Sequence, residues 1–403
     1  MLLKHITMST ILPVIRFSYG IILAMLLSKN LSVSEYGEWS FFISMLGLVL
    51  TFSSLSLMYS SQVIFPTKNK LEIIADLNSI AFFKVIFTIL IAFLFAIYGY
   101  LFELFSFELS VLFCIVVVFR SIADLVYGLL RALLKIKEQI IFLFFESILV
   151  VGLVGYVLLV RYGNVYESLY VFLYAEVIAS IYGLYLLRDY IKLKKIDLTL
   201  LGPYLKIGIP LVPFAFMDLI INSTTPLFIK LYDSLEAVAL YSISQKVAML
   251  MVIPSSVLGN VYVQYLSKAH QKSKGEMLSV LNRFLFLYGI STLLMLIFLY
   301  IFGLDIILLI SSVEYTSAYD ILLLLLFANV FVIFSSIFTS VFAVLKQVRK
   351  VSYVWIGVLF LYVILSMILS KYYMFYGAIY AILISFGIGF MIISYLVFRE
   401  FRT

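Results

Sequence analysis

About twelve apolar stretches follow one another along this chain, each close to the 20 residues that a helix needs to cross a bilayer. They run roughly over 8–27, 38–61, 79–101, 109–130, 139–160, 166–187, 205–229, 237–263, 282–303, 318–344, 350–370 and 376–398. Connections of about 20 residues or fewer separate them, so no extramembrane catalytic domain is expected. Composition agrees. The chain is 65% hydrophobic and 12% charged, far from the roughly half apolar and quarter charged make-up of a soluble domain. Its mean hydropathy is +1.17. The first apolar run contains Arg16 and ends in "LLSKN" without a small-residue cleavage site, so it reads as a first membrane helix and not as a cleaved leader.

The basic residues set the sidedness. With the N-terminus inside, 18 of the 28 Lys and Arg fall in inner segments, among them Lys68, Arg131, Lys192, Lys194, Lys195, Lys272 and Arg399. Only Lys29, Arg161, Lys230 and Lys371 fall in outer ones. This bias across alternate loops predicts that both termini are cytoplasmic. It also accounts for most of the net charge of +7 without a nucleic-acid partner.

A motif recurs at half the chain length. Tyr36-Gly37-Glu38-Trp39-Ser40 and Val238-Ala239-Leu240-Tyr241-Ser242 align at a shift of 202, each with a small residue, an aromatic and a Ser opening an apolar run. Twelve spans with such a repeat predict two parallel six-helix bundles related by a pseudo-two-fold axis along the membrane normal. The expected domains are 1–190 and 205–403, joined by a cytoplasmic linker over 191–204. Halves of this kind rock about a central site and open it to alternate faces.

The seventh span, "KIGIPLVPFAFMDLIINSTTPLFIK", holds Pro210, Pro213 and Pro226 beside Asn222, Ser223, Thr224 and Thr225. Proline removes a backbone donor and clashes with the preceding turn, so this helix is expected to kink or unwind, and Pro13 is expected to act likewise on the first. Carbonyls freed at membrane depth persist only where protein or a wet cavity covers them.

Six basic residues lie within the spans. Lys84, Lys206 and Arg283 sit near cytoplasmic helix ends and are expected to snorkel. Arg16, Arg120 and Lys246 lie deeper, where an isolated charge costs about 2.5–3.5 kcal/mol, so each should face a cavity or a partner. Arg120 and Asp124 share one face of the fourth span. Arg16 shifted by 202 falls on Asp218, which makes an Arg16–Asp218 latch between corresponding helices one expectation. Glu146 and Glu176 are the other deep acids. A mixed lining suits an anionic headgroup held by Arg and Lys, with a carboxylate taking a coupling proton or Na⁺; it equally suits a cation exporter using the acids alone. Two histidines, one cysteine and no HExxH or CxxC spacing argue against a metal site, and no cofactor is expected. Cys114, within "LFCIVVV", reads as packing.

The stretch from Tyr204 to Leu250 resembles the polysaccharide biosynthesis proteins that flip lipid-linked oligosaccharides, within the multidrug/oligosaccharidyl-lipid/polysaccharide exporter superfamily. Gly208, Pro210 and Pro213, then Asn222 and Ser223, then Tyr241, Ser242 and Lys246 stand at the places of that pattern, and "LSVSEYGEWSFF" is similar to the family's Leu-Ser-x-x-Glu-Tyr-Gly turn. "LLRALLKIKEQ" also looks family-like. Departures are Ala239 for the usual Gly, and Thr225-Pro226 where relatives often carry an Asp and a basic residue.

The resemblance implies a MATE-like fold. It also implies a flippase that moves polyprenyl-pyrophosphate-linked repeat units of O-antigen, capsule or a related polysaccharide across a bacterial inner membrane, in some cases beside a polymerase. In that frame Arg16, Arg120 and Lys246 would meet pyrophosphate or acidic sugars, and Asn222, Tyr241 and Gln245 sugar hydroxyls. Asp124, Glu146, Glu176 and Asp218 would couple or gate. The rival readings are a drug or cation antiporter on the same fold and a polysaccharide polymerase or ligase. The second usually carries a long catalytic outer loop, which this chain lacks.

Overall fold

A computed structural model describes residues 2–191 and 196–402. Lys192, Lys194 and Lys195, counted above in the charge bias, and with them part of the expected 191–204 linker, lie outside the described residues.

Every regular element among the described residues is helical. In chain order the helices are α1 Leu2–Asn30, α2 Val33–Ser54, α3 Leu57–Ile64, α4 Lys70–Leu101, α5 Phe107–Ala132, α6 Ile136–Leu159, α7 Val165–Leu186 and α8 Gly202–Gly208. There follow α9 Phe216–Leu219, α10 Thr225–Tyr232, α11 Leu235–Ala248, α12 Val252–His270, α13 Lys274–Ile310, α14 Ala318–Val344, α15 Val348–Tyr373 and α16 Phe375–Arg402. Among the described residues nine spans are long and apolar enough to cross a membrane, or eleven when two broken helix pairs are each counted as one. The remaining expected span, 8–27, falls within α1, a helix of 29 residues.

Loop chemistry starts these helices. Asn69 accepts from the amides of Leu71 and Glu72 while Glu72 reaches back to the Asn69 amide, a complete capping box on α4. Ser106, Asn164, Ser234 and Ser273 cap α5, α7, α11 and α13 through their side chains. Ser32 and Glu35 cap α2 reciprocally: Glu35 N donates to Ser32 Oγ at 3.3 Å, and Ser32 N to Glu35 Oε2 at 3.0 Å.

The chain forms two compact units, Met1–Leu31 with Phe42–Val212, and Ser32–Phe41 with Pro213–Thr403. In the first, α4 packs on α5, α1 on α6, and α7 on both α5 and α6. Its core includes Leu57, Phe65, Ile80, Val126, Leu129, Phe142 and Tyr204. Tyr204 ties α8 into this unit, since its hydroxyl donates to Asp76 at 2.6 Å and Lys68 pairs with the same carboxylate at 2.5 Å. In the second unit α16 packs on α14 and α15, α11 on α14, and α12 on α13. Trp355, Tyr36, Tyr241, Tyr262, Tyr315 and Tyr362 are its largest sealed side chains.

Two of the motif glycines are there for close backbone approach. A Cβ on Gly37 would overlap the carbonyl oxygen of Leu235, so the start of α2 lies against the start of α11 within the second unit. Gly37 belongs to one copy of the repeated motif, and Leu235 lies three residues before the other. A Cβ on Gly208 would meet the carbonyl oxygen of Leu55 at 2.5 Å, in the first unit.

Helix breaks fall differently from expectation. α1 continues through Pro13 as one helix, so the chain does not unwind there. The break lies instead between α2 and α3, where Leu55 and Ser56 take positive φ and the axis turns by 44°. Thr51, Ser53 and Ser54 each donate back to a carbonyl one turn earlier, which competes with the helix ladder just before the break. The seventh span does unwind as expected. It passes through a 3-10 segment, Ile209–Ala215, and a π-helical turn, Ile220–Thr224.

Candidate functional site

Two polar clusters lie within the spanning helices, one in each unit. The first is built around Arg120 on α5. Its Nη1 donates to Glu176 Oε1 of α7 at 2.9 Å and to Glu146 Oε1 of α6, and its Nη2 lies 3.7 Å from Asp124 Oδ1 one turn along α5. Asp124, expected beside Arg120 from its spacing, is joined at one guanidinium by Glu146 and Glu176, which sequence alone could only place on other helices. Side-chain exposure falls in order across the group, from 33% at Asp124 through 22% at Arg120 and 8% at Glu146 to 0% at Glu176. Glu176 Oε2 is buried with no hydrogen-bond partner.

Lys84 belongs to this group, contrary to the snorkelling expectation. Its residue on α4 is 2% exposed, and it acts electrostatically on Asp124 and Arg120. Four residues on, Thr88 Oγ1 sits 3.0 Å from Ser121 Oγ of α5, which carries the polar strip between the two helices. The spacing of Lys84 and Thr88 on one face of α4 was the available signal. Tyr19 of α1 also lies in the field of Arg120, Glu146 and Glu176. Lys206 and Arg283 are exposed, as snorkelling requires. Arg16 is exposed too, and its guanidinium stacks 4.2 Å from the ring centroid of Tyr127.

The second cluster grows from the unwound span. Pro226 sits in the first turn of α10 and has no amide to donate to the preceding turn. The freed carbonyls find side chains. Thr225 Oγ1 donates to Ile220 O at 2.7 Å, and the Tyr241 hydroxyl donates to Ile221 O at 2.8 Å. Thr225 Oγ1 also lies 2.8 Å from the Tyr362 hydroxyl of α15. Satisfied in this way, a π-turn can stand at membrane depth. The turn presents Asn222, whose Nδ2 donates to Asp218 Oδ1 at 2.6 Å and whose Oδ1 accepts from Gln245 Nε2 of α11. Lys246, half-buried on α11, interacts electrostatically with Asp218. Asn222, Gln245, Lys246 and Asp218 are therefore brought together, while Tyr241 is buried with its hydroxyl engaged in holding the turn.

No protein-family model and no curated protein matches the sequence. Solved structures do match. An inward-facing multidrug resistance MATE family transporter of the MOP superfamily aligns with a TM-score of 0.75, over 96% of this chain and 95% of that one, at 15% identity. An inward closed conformation of the lipid II flippase MurJ aligns with a TM-score of 0.73, over 98% of this chain and 89% of that one, at 16% identity. An outward-facing MATE family transporter gives 0.61 over 99% and 96%, at 14% identity. At such identities the likeness is one of fold, and drug transporters and a lipid flippase share it. The chain is a multi-pass, all-helical membrane protein with the MATE fold.

Proposed function

We propose that the protein is a flippase. It moves polyprenyl-pyrophosphate-linked oligosaccharide units, of O-antigen, capsule or a related surface polysaccharide, from the inner to the outer leaflet of a bacterial cytoplasmic membrane by alternating access. Both termini lie in the cytoplasm in this reading, and a polymerase in the same membrane consumes the product.

One observation carries it: three cations within spanning helices keep open faces, with Arg16 exposed, Arg120 partly so and Lys246 half-buried. Charges are retained at that depth where they meet a wet path and its cargo. An Arg fork suits pyrophosphate, and the adjoining Asn222 and Gln245 suit sugar hydroxyls. Tyr241 is a positioning residue for the π-turn. The polyprenyl tail stays in lipid while the headgroup crosses. Asp124, Glu146, Glu176 and Asp218 serve coupling to a proton or sodium gradient.

A second reading, a drug or cation antiporter, is favoured by the excess of carboxylates over cations in the Arg120 cluster. The test is the sidedness of lipid-linked oligosaccharides in cells with and without the protein. A membrane-impermeant sugar oxidant applied to right-side-out and inverted vesicles reads it. Complete units accumulate on the cytoplasmic face when the protein is absent. Units that reach the outer face unpolymerised would instead mark a polymerase or ligase, and no change in either pool would favour the antiporter.

A further inference from the structure

We propose that Glu146 and Glu176 share one exchangeable proton, and that loading it releases Arg120 toward the phosphates of the substrate, so that proton and headgroup bind together and not in exchange. The inference rests on the anionic-headgroup reading above and names its coupling ion.

Four observations lead there. Both glutamates accept from the same guanidinium nitrogen, which holds two carboxylates close together in a dry setting. Like charges so placed do not both ionise freely, and one proton between them relieves the repulsion. Glu176 adds a fully buried oxygen with no partner, and a bare carboxylate oxygen costs far more there than a bare hydroxyl. The charge count agrees. Lys84 and Arg120 face Asp124, Glu146 and Glu176, so the group carries one net negative charge until a proton neutralises it. Finally, the graded exposure sets a direction. The guanidinium is held from its closed side by the two glutamates and from its open side by Asp124 alone, at 3.7 Å. An arriving phosphate meets the open side, and a protonated glutamate no longer competes for the closed one.

The charged and titratable groups facing the pair are Arg120 and Asp124 from α5 and Tyr19 from α1, with Lys84 of α4 beyond Asp124. Among the described residues no group of three or more His, Cys, Asp or Glu could hold a metal ion. Arg120 already occupies one oxygen of each glutamate, which leaves a single bare buried oxygen on Glu176 where a hard cation takes several. A proton is the species this geometry accommodates. The diester keeps its two negative charges while the glutamate pair carries the proton, so what crosses together has one net negative charge and an inside-negative potential favours its outward movement, by about 2.3 kcal/mol per 100 mV.

The experiment is calorimetric binding of farnesyl-pyrophosphoryl-N-acetylglucosamine to the full-length protein in nanodiscs, across pH and in buffers of different ionisation enthalpy. The diester phosphates stay ionised throughout, so any proton taken up belongs to the protein. Wild type is expected to take up a proton on binding, and its Kd to weaken about tenfold per pH unit once the pair has lost its proton. Glu176→Gln, which mimics the loaded state, should bind tightly at all pH values with no proton uptake; Glu146→Gln should do the same if Glu176→Gln does not fold. Arg120→Gln should lose the pH dependence together with most of the affinity. A wild-type Kd that is flat with pH, or that tightens as pH rises, overturns the inference while leaving the flippase reading in place. Absence of binding at every pH, with a lipophilic cation such as tetraphenylphosphonium binding and releasing a proton, overturns both.

Discussion

Arg120 shows what single residues reveal. Its pairing with Asp124 was legible from a four-residue spacing, and the contact exists at 3.7 Å. The stronger contacts, to Glu146 and Glu176, bridge 26 and 56 residues of sequence and required the packing of α5, α6 and α7 to appear. Lys84 was misread for a related reason. Its distance from a helix end allows snorkelling, and only the surrounding helices decide that its ammonium is enclosed. Gly37 is another case, because its motif is visible but its purpose is a contact with a backbone 198 residues away. Gly37→Ala should lower stability by about 1–3 kcal/mol, since a backbone atom must shift to admit the methyl. Gly152→Ala, with nothing within 4 Å of the new Cβ, should be neutral or stabilising by about 0.5–1 kcal/mol through helix propensity. Thermal unfolding of the purified protein in detergent checks the pair, and equal losses at the two sites would refute the packing argument.

At the scale of elements, helix starts were written locally and helix breaks only partly so. The caps at Ser32, Asn69, Ser106, Asn164, Ser234 and Ser273 are side chains acting on their own next turn, so the sequence carries the whole interaction. The break in the seventh span was announced by its prolines, whereas the break at Leu55–Ser56 had only a Thr and Ser run to mark it. Pro13 shows the converse, a proline that leaves its helix continuous. What makes an unwound turn tenable is a distant donor. Tyr241 supplies one from α11 to the carbonyl of Ile221. Tyr241→Phe should therefore cost about 1–3 kcal/mol by leaving a buried carbonyl unsatisfied. It should also slow transport by disordering Asn222 and Gln245. Unfolding temperature and initial flipping rate in proteoliposomes measure the two effects, and unchanged values in both would show that the hydroxyl is dispensable.

Across the whole molecule, the basic residues predict an orientation that cysteine labelling can read. In a Cys114→Ser background, Tyr162→Cys in the exposed connection between α6 and α7 should react with an impermeant maleimide in intact cells. Gln271→Cys, between α12 and α13, should react only in inverted vesicles. Reaction of both from one side would overturn the topology. That such a prediction is possible from sequence follows from how spans are chosen. Each segment of about 20 residues partitions into lipid largely on its own summed hydrophobicity, so span count, helical class and loop charge are sums over neighbours in the chain. The sequence by itself therefore determined that this is a many-spanned helical protein, which charges lie inside it, and which span unwinds. The tertiary structure decided which of those charges meet. Lipid rewards no particular rotation of an apolar helix, so the face that α4, α6 or α7 turns inward is set by close packing against its neighbours. The gathering of Lys84, Glu146 and Glu176 around Arg120, and of Gln245 onto Asn222, follows from that packing alone.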